Sequence, residues 1–523
     1  MKTVLNKKLT LWQTLAIAGI SVVLFYLVFF PYAEVITQKI EEKKYRRDSL
    51  LAADSAEKDT TPLERLLHAL DTLSKRPELM YAGFGFSLVS PDSNTVIAEY
   101  NSKQALVPAS VMKIVTTGVA LARLGAGYRY TTQLQYDGNI EGGVLKGNIY
   151  IRGTGDPTLG SETFGSTSAK TVLANWTAAI KSLGIDSITG AIIGDAEYFE
   201  PDPIPGGWAW EDMQSSYGIG TCGLSWRENT YDVCVSCKGN STYAYSSVPV
   251  PGLKLYNRTV VNENIYKPYL YVAGAPYQEE RVVLGEVKGD YSERSNIPDP
   301  ALACAYNLLL SLRNFDIAVK DSCTTVRKLK LSGQYERKER KTIHTTYSPS
   351  LAQIVTHCNK VSQNFYAETI LKTLGAGGNS YGSVSGGIGA VINYFREKGV
   401  SLHGFFMADG SGVSRFNALS AKFLTDILVC YAKDSSMFRS FYNSLPVAGE
   451  SGTLSNVGEE TIAAGNIAAK SGYMSRVRSY AGYVTTQSGR LLAFSMTMNN
   501  QEWDATQTRL RMEKLMELMA GLD

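Results

Sequence analysis

The polar and apolar positions change period several times along this 523-residue chain, and each change predicts a different kind of element. From Leu9 to Ala33 no residue carries a charge, and Lys2, Lys7 and Lys8 precede the run. At 1.5 Å per residue a helix of that length crosses a hydrocarbon core of ~30 Å, so residues 1–35 are read as a cytoplasmic tail and an uncleaved membrane anchor, with a cleaved secretory signal as the alternative and the orientation not settled by charge, since positive residues flank both sides. Residues 36–62 are charged and low in aromatics, the composition of a solvated stalk. Folded sequence is expected from Leu63: LERLLHALDTL has helical spacing, and YAGFGFSLVSPDSNTVIAEYN alternates like two strands joined at Pro91–Asn94. A helix is expected just after Pro108. Between 131 and 345 short apolar runs alternate with Gly, Asn, Asp and Pro, which predicts inserted β-containing domains. Helical periodicity returns in SLAQIVTHCNK, GGIGAVINYFREKGV and ALSAKFLTDILVCYAK. Strand-like GNIAAKSG, RSYAGYVTT and LLAFSMTMNN follow, then an amphipathic terminal helix.

Composition narrows the classes. Lys and Arg exceed Asp and Glu by only three charges, hydrophobic residues make up 44% and aromatics 10%, so disorder and electrostatic nucleic-acid binding are both disfavoured. Four histidines leave few candidates for a histidine-based mechanism. Seven cysteines are too few for a disulfide scaffold of this size. Cys222, Cys234 and Cys237 resemble three zinc ligands, but no fourth follows at finger-like spacing, so structural thiols or one local disulfide are the simpler reading.

Three short elements carry candidate chemistry. In PASVMK, Ser110 and Lys113 lie one helical turn apart, so a desolvated amine can take the hydroxyl proton and activate the serine. The pattern is weak alone, since SAEK at Ser55–Lys58 also fits it. In VSQNFYAE, Ser362 and Asn364 alternate and can share a side, one as a relay hydroxyl and the other holding a substrate amide. In AAKSGY, set in a strand, Lys470 offers a fixed charge to a carboxylate, Ser471 a hydroxyl, Gly472 an unobstructed edge for a substrate backbone, and Tyr473 a backbone N–H for an oxyanion hole. Bland readings stand beside these. GTGDPTL reads as a turn, since no lysine follows its glycines; Asp409 in DGSG as a structural turn near the site; and His357 as a packed histidine.

In this order the elements match the set Ser-x-x-Lys, Ser-x-Asn and Lys-Thr/Ser-Gly of penicillin-binding proteins and β-lactamases. The spacing between the first two is too long for a plain serine β-lactamase. With GTGDPTL, GDAEYF, GWAWEDM, SQNFYAETILKTLG, DGSGVSRFN, LPVAGESGTL and GYVTTQSGRLLAFSMTMNN, the chain from about residue 63 onward resembles the low-molecular-mass class C penicillin-binding proteins, the D-alanyl-D-alanine carboxypeptidase/endopeptidases of peptidase family S13.

That resemblance implies an α/β (α+β) fold: a transpeptidase/β-lactamase-like domain in two parts, 63–130 and 346–523, with two β-rich domains inserted at 131–345. It implies Ser110 as acylated nucleophile, Lys113 as general base, Ser362 and Asn364 as relay and peptide ligand, and Lys470 with Ser471 on the terminal carboxylate. The acyl-transfer chemistry so implied requires no metal or organic cofactor. Asp195 and Phe199 would belong to an inserted segment reading the third stem-peptide residue; their plain alternative is an ordinary turn. The implied partners are peptidoglycan stem peptides, β-lactam antibiotics and, through the anchor, the cytoplasmic membrane, with the catalytic part outside the cytoplasm and no nucleic acid. Two departures stand out: Lys-Ser-Gly replaces the usual Lys-Thr-Gly and keeps the hydroxyl, and GTLSNVGEE lacks the basic residue often found after GTL. A non-catalytic wall-binding scaffold and a slow serine β-lactamase are the competing functions.

Overall fold

The computed structural model describes residues 60–377 and 380–523. The expected anchor, and the stalk apart from 60–62, lie outside the described residues. The chain divides into two compact units, Met1–Ala69 and Leu70–Asp523. In the first, the helix that begins at Pro62 opens with a reciprocal cap: the Glu64 carboxylate accepts from the Thr61 N–H at 2.7 Å, and the Thr61 hydroxyl accepts from the Glu64 N–H at 3.2 Å. Among the described residues no helix is long and apolar enough to cross a membrane, and no His, Cys, Asp and Glu cluster is suited to a metal. All seven cysteines are free thiols.

The second unit is built on an all-antiparallel five-stranded sheet in the order Thr95–Tyr100, Gly83–Ser90, Leu491–Asn499, Val477–Thr485, Ile467–Met474. The first and last thirds of the chain thus share one sheet, with Gly83–Ser90 directly beside Leu491–Asn499. Helix Ala421–Ala432 packs on it, fixed by Ser87 Oγ to Thr425 Oγ1 at 2.9 Å and by the Tyr483 hydroxyl donating to the Leu428 carbonyl at 2.8 Å. Helix Ala505–Ala520 packs against Val477–Thr485. Helices Met112–Leu124, Leu351–Lys360, Asn364–Leu374 and Val384–Glu397 pack on one another, and Met112, Ile114, Val115, Phe365, Ile370 and Phe395 are buried in their shared core. Burying side chains of this size contributes ~1.5–3 kcal/mol each.

Ile467–Met474 is an edge strand. Residues 446–448 cover its first half, with the Ala448 N–H donating to the Ile467 carbonyl and the Ala469 N–H to the Pro446 carbonyl, both at 2.9 Å. Among the described residues no strand pairs with Lys470–Met474 on that side.

The long middle stretch leaves and returns at one place. Thr131–Tyr136 pairs antiparallel with Lys341–Tyr347, and the Ser348 N–H donates to the Tyr130 carbonyl at 3.1 Å. An insertion whose ends meet adds length without moving its host, which is how Lys113 and Asn364 meet across so large a sequence gap. The sheet at that junction runs Cys323–Thr325, Ile192–Asp195, Ile149–Gly153, Thr131–Tyr136, Lys341–Tyr347. Helices Ala169–Ser182 and Pro300–Asn314 pack with it, so this part is α/β and corrects the expectation of two β-rich insertions. The part farther inside the insertion is all-β: Thr230–Lys238 lies between Ser241–Ser246 and Tyr291–Asn296, and Glu280–Val287 pairs with Lys254–Asn257, Val260–Val261 and Tyr269–Ala273.

Candidate active site

Ser110 sits in the tight helical turn Ala109–Val111 that runs into helix Met112–Leu124. Ala109 before it has φ +46°, a left-handed conformation that costs a non-glycine residue of order 1–3 kcal/mol and persists only where packing enforces it. Two glycines enforce it. A Cβ on Gly412 would stand 1.8 Å from the Ala109 carbonyl oxygen, and one on Gly472 would stand 2.5 Å from the Pro108 carbonyl oxygen and 2.2 Å from Ser479 Oγ. Gly472 therefore makes room for the turn that carries Ser110, in addition to lying on the unpaired part of the edge strand.

Lys113 is fully buried, and its Nζ reaches three oxygens: Ser110 Oγ at 3.0 Å, Asn364 Oδ1 at 2.6 Å and the Ser411 carbonyl at 2.8 Å. An ammonium satisfies all three with its protons. A neutral amine satisfies the two acceptor-only oxygens, Asn364 Oδ1 and Ser411 O, and has its lone pair left for the Ser110 O–H, so the cage accepts both protonation states. Burial lowers the lysine pKa to about 8, partly opposed by Cys358, Asp409 and Glu368.

The floor of this cage is the DGSG loop, held by two buried carboxylates. Glu368 accepts from the Gly410 N–H at 3.0 Å and the Ser411 N–H at 2.7 Å, which aims the Ser411 carbonyl at Lys113. Asp409 accepts from the N–H groups of Gly412 and Ser414, from Asn417 Nδ2 at 2.7 Å and from the Trp208 indole at 2.8 Å. Burial, then the charge of Asp409, pushes the Glu368 carboxyl upward.

Ser362 occupies the turn between helices Leu351–Lys360 and Asn364–Leu374 at φ +60°, and Asn364 opens the second helix. The two residues thus lie in a loop and at the helix start that follows it, rather than in an extended segment. Ser362 Oγ accepts from Lys470 Nζ at 2.9 Å, while Asn364 faces Lys113 and donates its amide N–H to the Tyr217 carbonyl at 2.9 Å. Lys470 also donates to the Ser471 carbonyl at 2.7 Å. It is fully buried, and burial followed by the nearby Lys113 charge holds its pKa well below the ordinary lysine value. Ser471 Oγ donates to Thr453 Oγ1 at 2.7 Å, and Tyr473 is exposed with the Arg478 guanidinium 5.5 Å from its ring centre.

Ser110, Lys113, Ser362, Asn364, Lys470, Ser471 and Gly472 thus come together from three distant stretches of chain, with Tyr473 next along the same strand. Asp195 and Phe199 are held by other partners. Asp195 pairs with Arg340 at 2.6 Å, and the Phe199 ring is buried against Gly155 and Gly382. His357 packs its ring near Phe164 and Tyr366, as the apolar periodicity predicts.

A sequence model of the D-Ala-D-Ala carboxypeptidase 3 (S13) family matches residues 66–521. The chain belongs to that family. It is a serine-type carboxypeptidase and thus a hydrolase. Among S13 relatives, D-alanyl-D-alanine carboxypeptidase of Actinomadura sp. (strain R39) is 26% identical over 475 residues, covering 87% of this chain and 85% of its own. D-alanyl-D-alanine carboxypeptidase DacB of Haemophilus influenzae is 23% identical over 471 residues, 87% of this chain and 93% of its own. The crystal structure of penicillin binding protein 4 (dacB) from H. influenzae superposes with a TM-score of 0.75 at 21% identity, covering 86% of this chain and 99% of that one, so the mixed α/β fold is shared.

Several residues of the S13 site escape a reading of the sequence. Glu368 looks like a helix-face acid in SQNFYAET, and nothing local shows that it caps a loop 42 residues on. The Ser411 and Tyr217 contributions are backbone carbonyls and leave no residue-type signal. Trp208 lies within the GWAWEDM stretch, whose tie to Asp409 is visible only in three dimensions.

Proposed function

We propose that this serine DD-peptidase hydrolyses the terminal D-Ala-D-Ala bond of peptidoglycan stem peptides through an acyl-enzyme on Ser110, and acts as an endopeptidase on D-alanine cross-links. The observation that carries the reading is the three-oxygen cage around Lys113. In the proposed sequence, neutral Lys113 takes the Ser110 proton as Oγ attacks the penultimate D-alanine carbonyl. The C–N bond then breaks, and the departing amine takes a proton delivered through Lys113 and Ser362. Water repeats the addition on the ester and releases the shortened peptide. The Ser110 and Tyr473 N–H groups receive the oxyanion, and Lys470 with Ser471 and Thr453 receives the terminal carboxylate, whose charge restores the ammonium that burial disfavours. Asn364 binds the peptide by exchanging the Tyr217 carbonyl for a substrate amide oxygen.

β-Lactams, whose strained amide mimics the scissile bond, would acylate the same serine; a H. influenzae penicillin binding protein 4 structure holds a β-lactam. The uncharged run Leu9–Ala33 would anchor the chain in the cytoplasmic membrane with the catalytic part outside.

The test is intact mass after benzylpenicillin, with peptide mapping, alongside D-alanine release from a D-Ala-D-Ala peptide. The expected result is one adduct per chain on the peptide holding Ser110 and D-alanine release, both lost in Ser110→Ala. Binding of peptide with neither adduct nor release would establish the scaffold instead, and rapid turnover of penicillin a β-lactamase.

A further inference from the structure

The inserted α/β part contains a cleft of about 410 Å³ lined by Gln135, Arg152, Asp195, Glu197, Lys330, Tyr335, Arg337, Lys338 and Arg340. That size falls in the ~300–1,000 Å³ range of small-ligand sites. Five cations face two carboxylates there, and both carboxylates are already taken: Asp195 by Arg340 at 2.6 Å, and Glu197 by Lys330. Arg340 is further fixed by stacking 3.9 Å from the Tyr150 ring centre, and the Lys330 ammonium lies 5.1 Å from that of Tyr335. These pairs make a rigid, neutral floor and wall.

Of the remaining three cations, two are unpaired and the third is only distantly paired. Arg152 and Arg337 are exposed and make no hydrogen bond or ion pair among the described residues, and the Lys338 ammonium has only an Asp137 oxygen at 3.8 Å. Gln135, buried in the wall of the cleft, is already oriented by its amide N–H donating to Gln133 Oε1 at 2.8 Å. Two unpaired guanidiniums beside a distantly paired ammonium repel unless an anion sits among them, and a single carboxylate's one charge would not match both guanidiniums. A phosphate monoester or diphosphate carries two to three charges on oxygens that fit the guanidinium fork bidentately.

We propose that this cleft is a binding site for a phosphate-bearing ligand, held by Arg152, Arg337 and Lys338. It shares no residue with the Ser110 cage, so it stands whatever the peptidase reaction proves to be. The phosphate comes either from a soluble phosphorylated molecule or from a lipid headgroup.

Titration calorimetry of the full-length protein in detergent, with pyrophosphate as probe, tests the site. Saturable binding is expected, weakened about tenfold or more in the triple variant Arg152→Gln, Arg337→Gln, Lys338→Gln and unchanged in Lys181→Gln, a distant surface control, with both variants keeping the wild-type melting temperature. Loss of affinity as salt rises is part of the expectation. Absence of saturable binding by the wild type, or equal binding by the triple variant, would overturn the proposal. A second arm uses phosphatidylcholine vesicles with and without phosphatidic acid: added pyrophosphate releasing the protein from the acidic vesicles identifies a headgroup as the source, and vesicle binding insensitive to pyrophosphate alongside saturable pyrophosphate binding identifies a soluble one.

Discussion

Lys113 shows how a single side chain sets the conditions under which the site works. With its pKa lowered to about 8, roughly a tenth is neutral at pH 7, against well under a thousandth for an ordinary lysine. Acylation should therefore quicken about tenfold per pH unit below 8 and level off above it, a profile measurable as the second-order rate of benzylpenicillin adduct formation. Lys113→Ala should slow that rate by ~10²–10⁴-fold with Ser110 still in place. Gly472 acts on the same serine through sterics alone. Because its missing Cβ is filled by Ser479 and the Pro108 carbonyl, Gly472→Ala should displace the nucleophile's turn and reduce acylation by at least ~10²-fold while the chain remains folded. Wild-type acylation in that variant would show that the turn is not braced by the strand.

At the scale of elements, the turn after strand Ile149–Gly153 carries a buried acid with half its hydrogen-bonding capacity idle. Asp156 Oδ1 accepts from the Thr158 N–H and hydroxyl, while Oδ2 has no partner, and burial raises the pKa to about 6. A folded-state pKa above the unfolded value means the folded chain holds this proton more tightly. The associated stability is full below about pH 4 and is lost as pH rises through 6. Asp156→Asn does not titrate, so its stability relative to wild type should improve by up to ~3 kcal/mol between those pH values, read from denaturant midpoints at each pH. The same element shows what the sequence makes legible. GTGDPTL reads correctly as a turn because Gly and Pro punctuate it, and helices such as Leu351–Lys360 and Ala505–Ala520 follow directly from their period and their Ser350 and Asp504 caps. Helices Ala169–Ser182 and Pro300–Asn314 are missed because each sits amid short strand-like runs that dominate the local pattern.

Across the whole molecule, the order of the three catalytic elements is visible in sequence, but the means by which they meet is not. Pairing between Thr131–Tyr136 and Lys341–Tyr347 closes the insertion and is a long-range register that no local pattern encodes. Backbone contributions from Ser411 and Tyr217 are hidden for a related reason: any residue type supplies a carbonyl. Removal of residues 1–59 should release the protein from the membrane fraction into the soluble one, with D-alanine release per molecule unchanged, if the Leu9–Ala33 run is the anchor. Retention of the shortened chain with membranes would place the attachment elsewhere.

The bare half of the edge strand has a cost besides its use. Unpaired strand edges invite other copies of a protein to add on and grow into aggregates. Here the loop at 446–448 shortens the exposed template to Lys470–Met474, about the length of one minimal strand, and Arg476 and Arg478 crowd its far end with like charge. A short extended ligand would find enough edge to align, whereas two identical edges meeting in parallel would bring cations against cations, and meeting antiparallel would run the far end of each against residues that the 446–448 loop already covers. The opening proposed to admit a peptide is thereby kept too short and too positive to nucleate self-assembly.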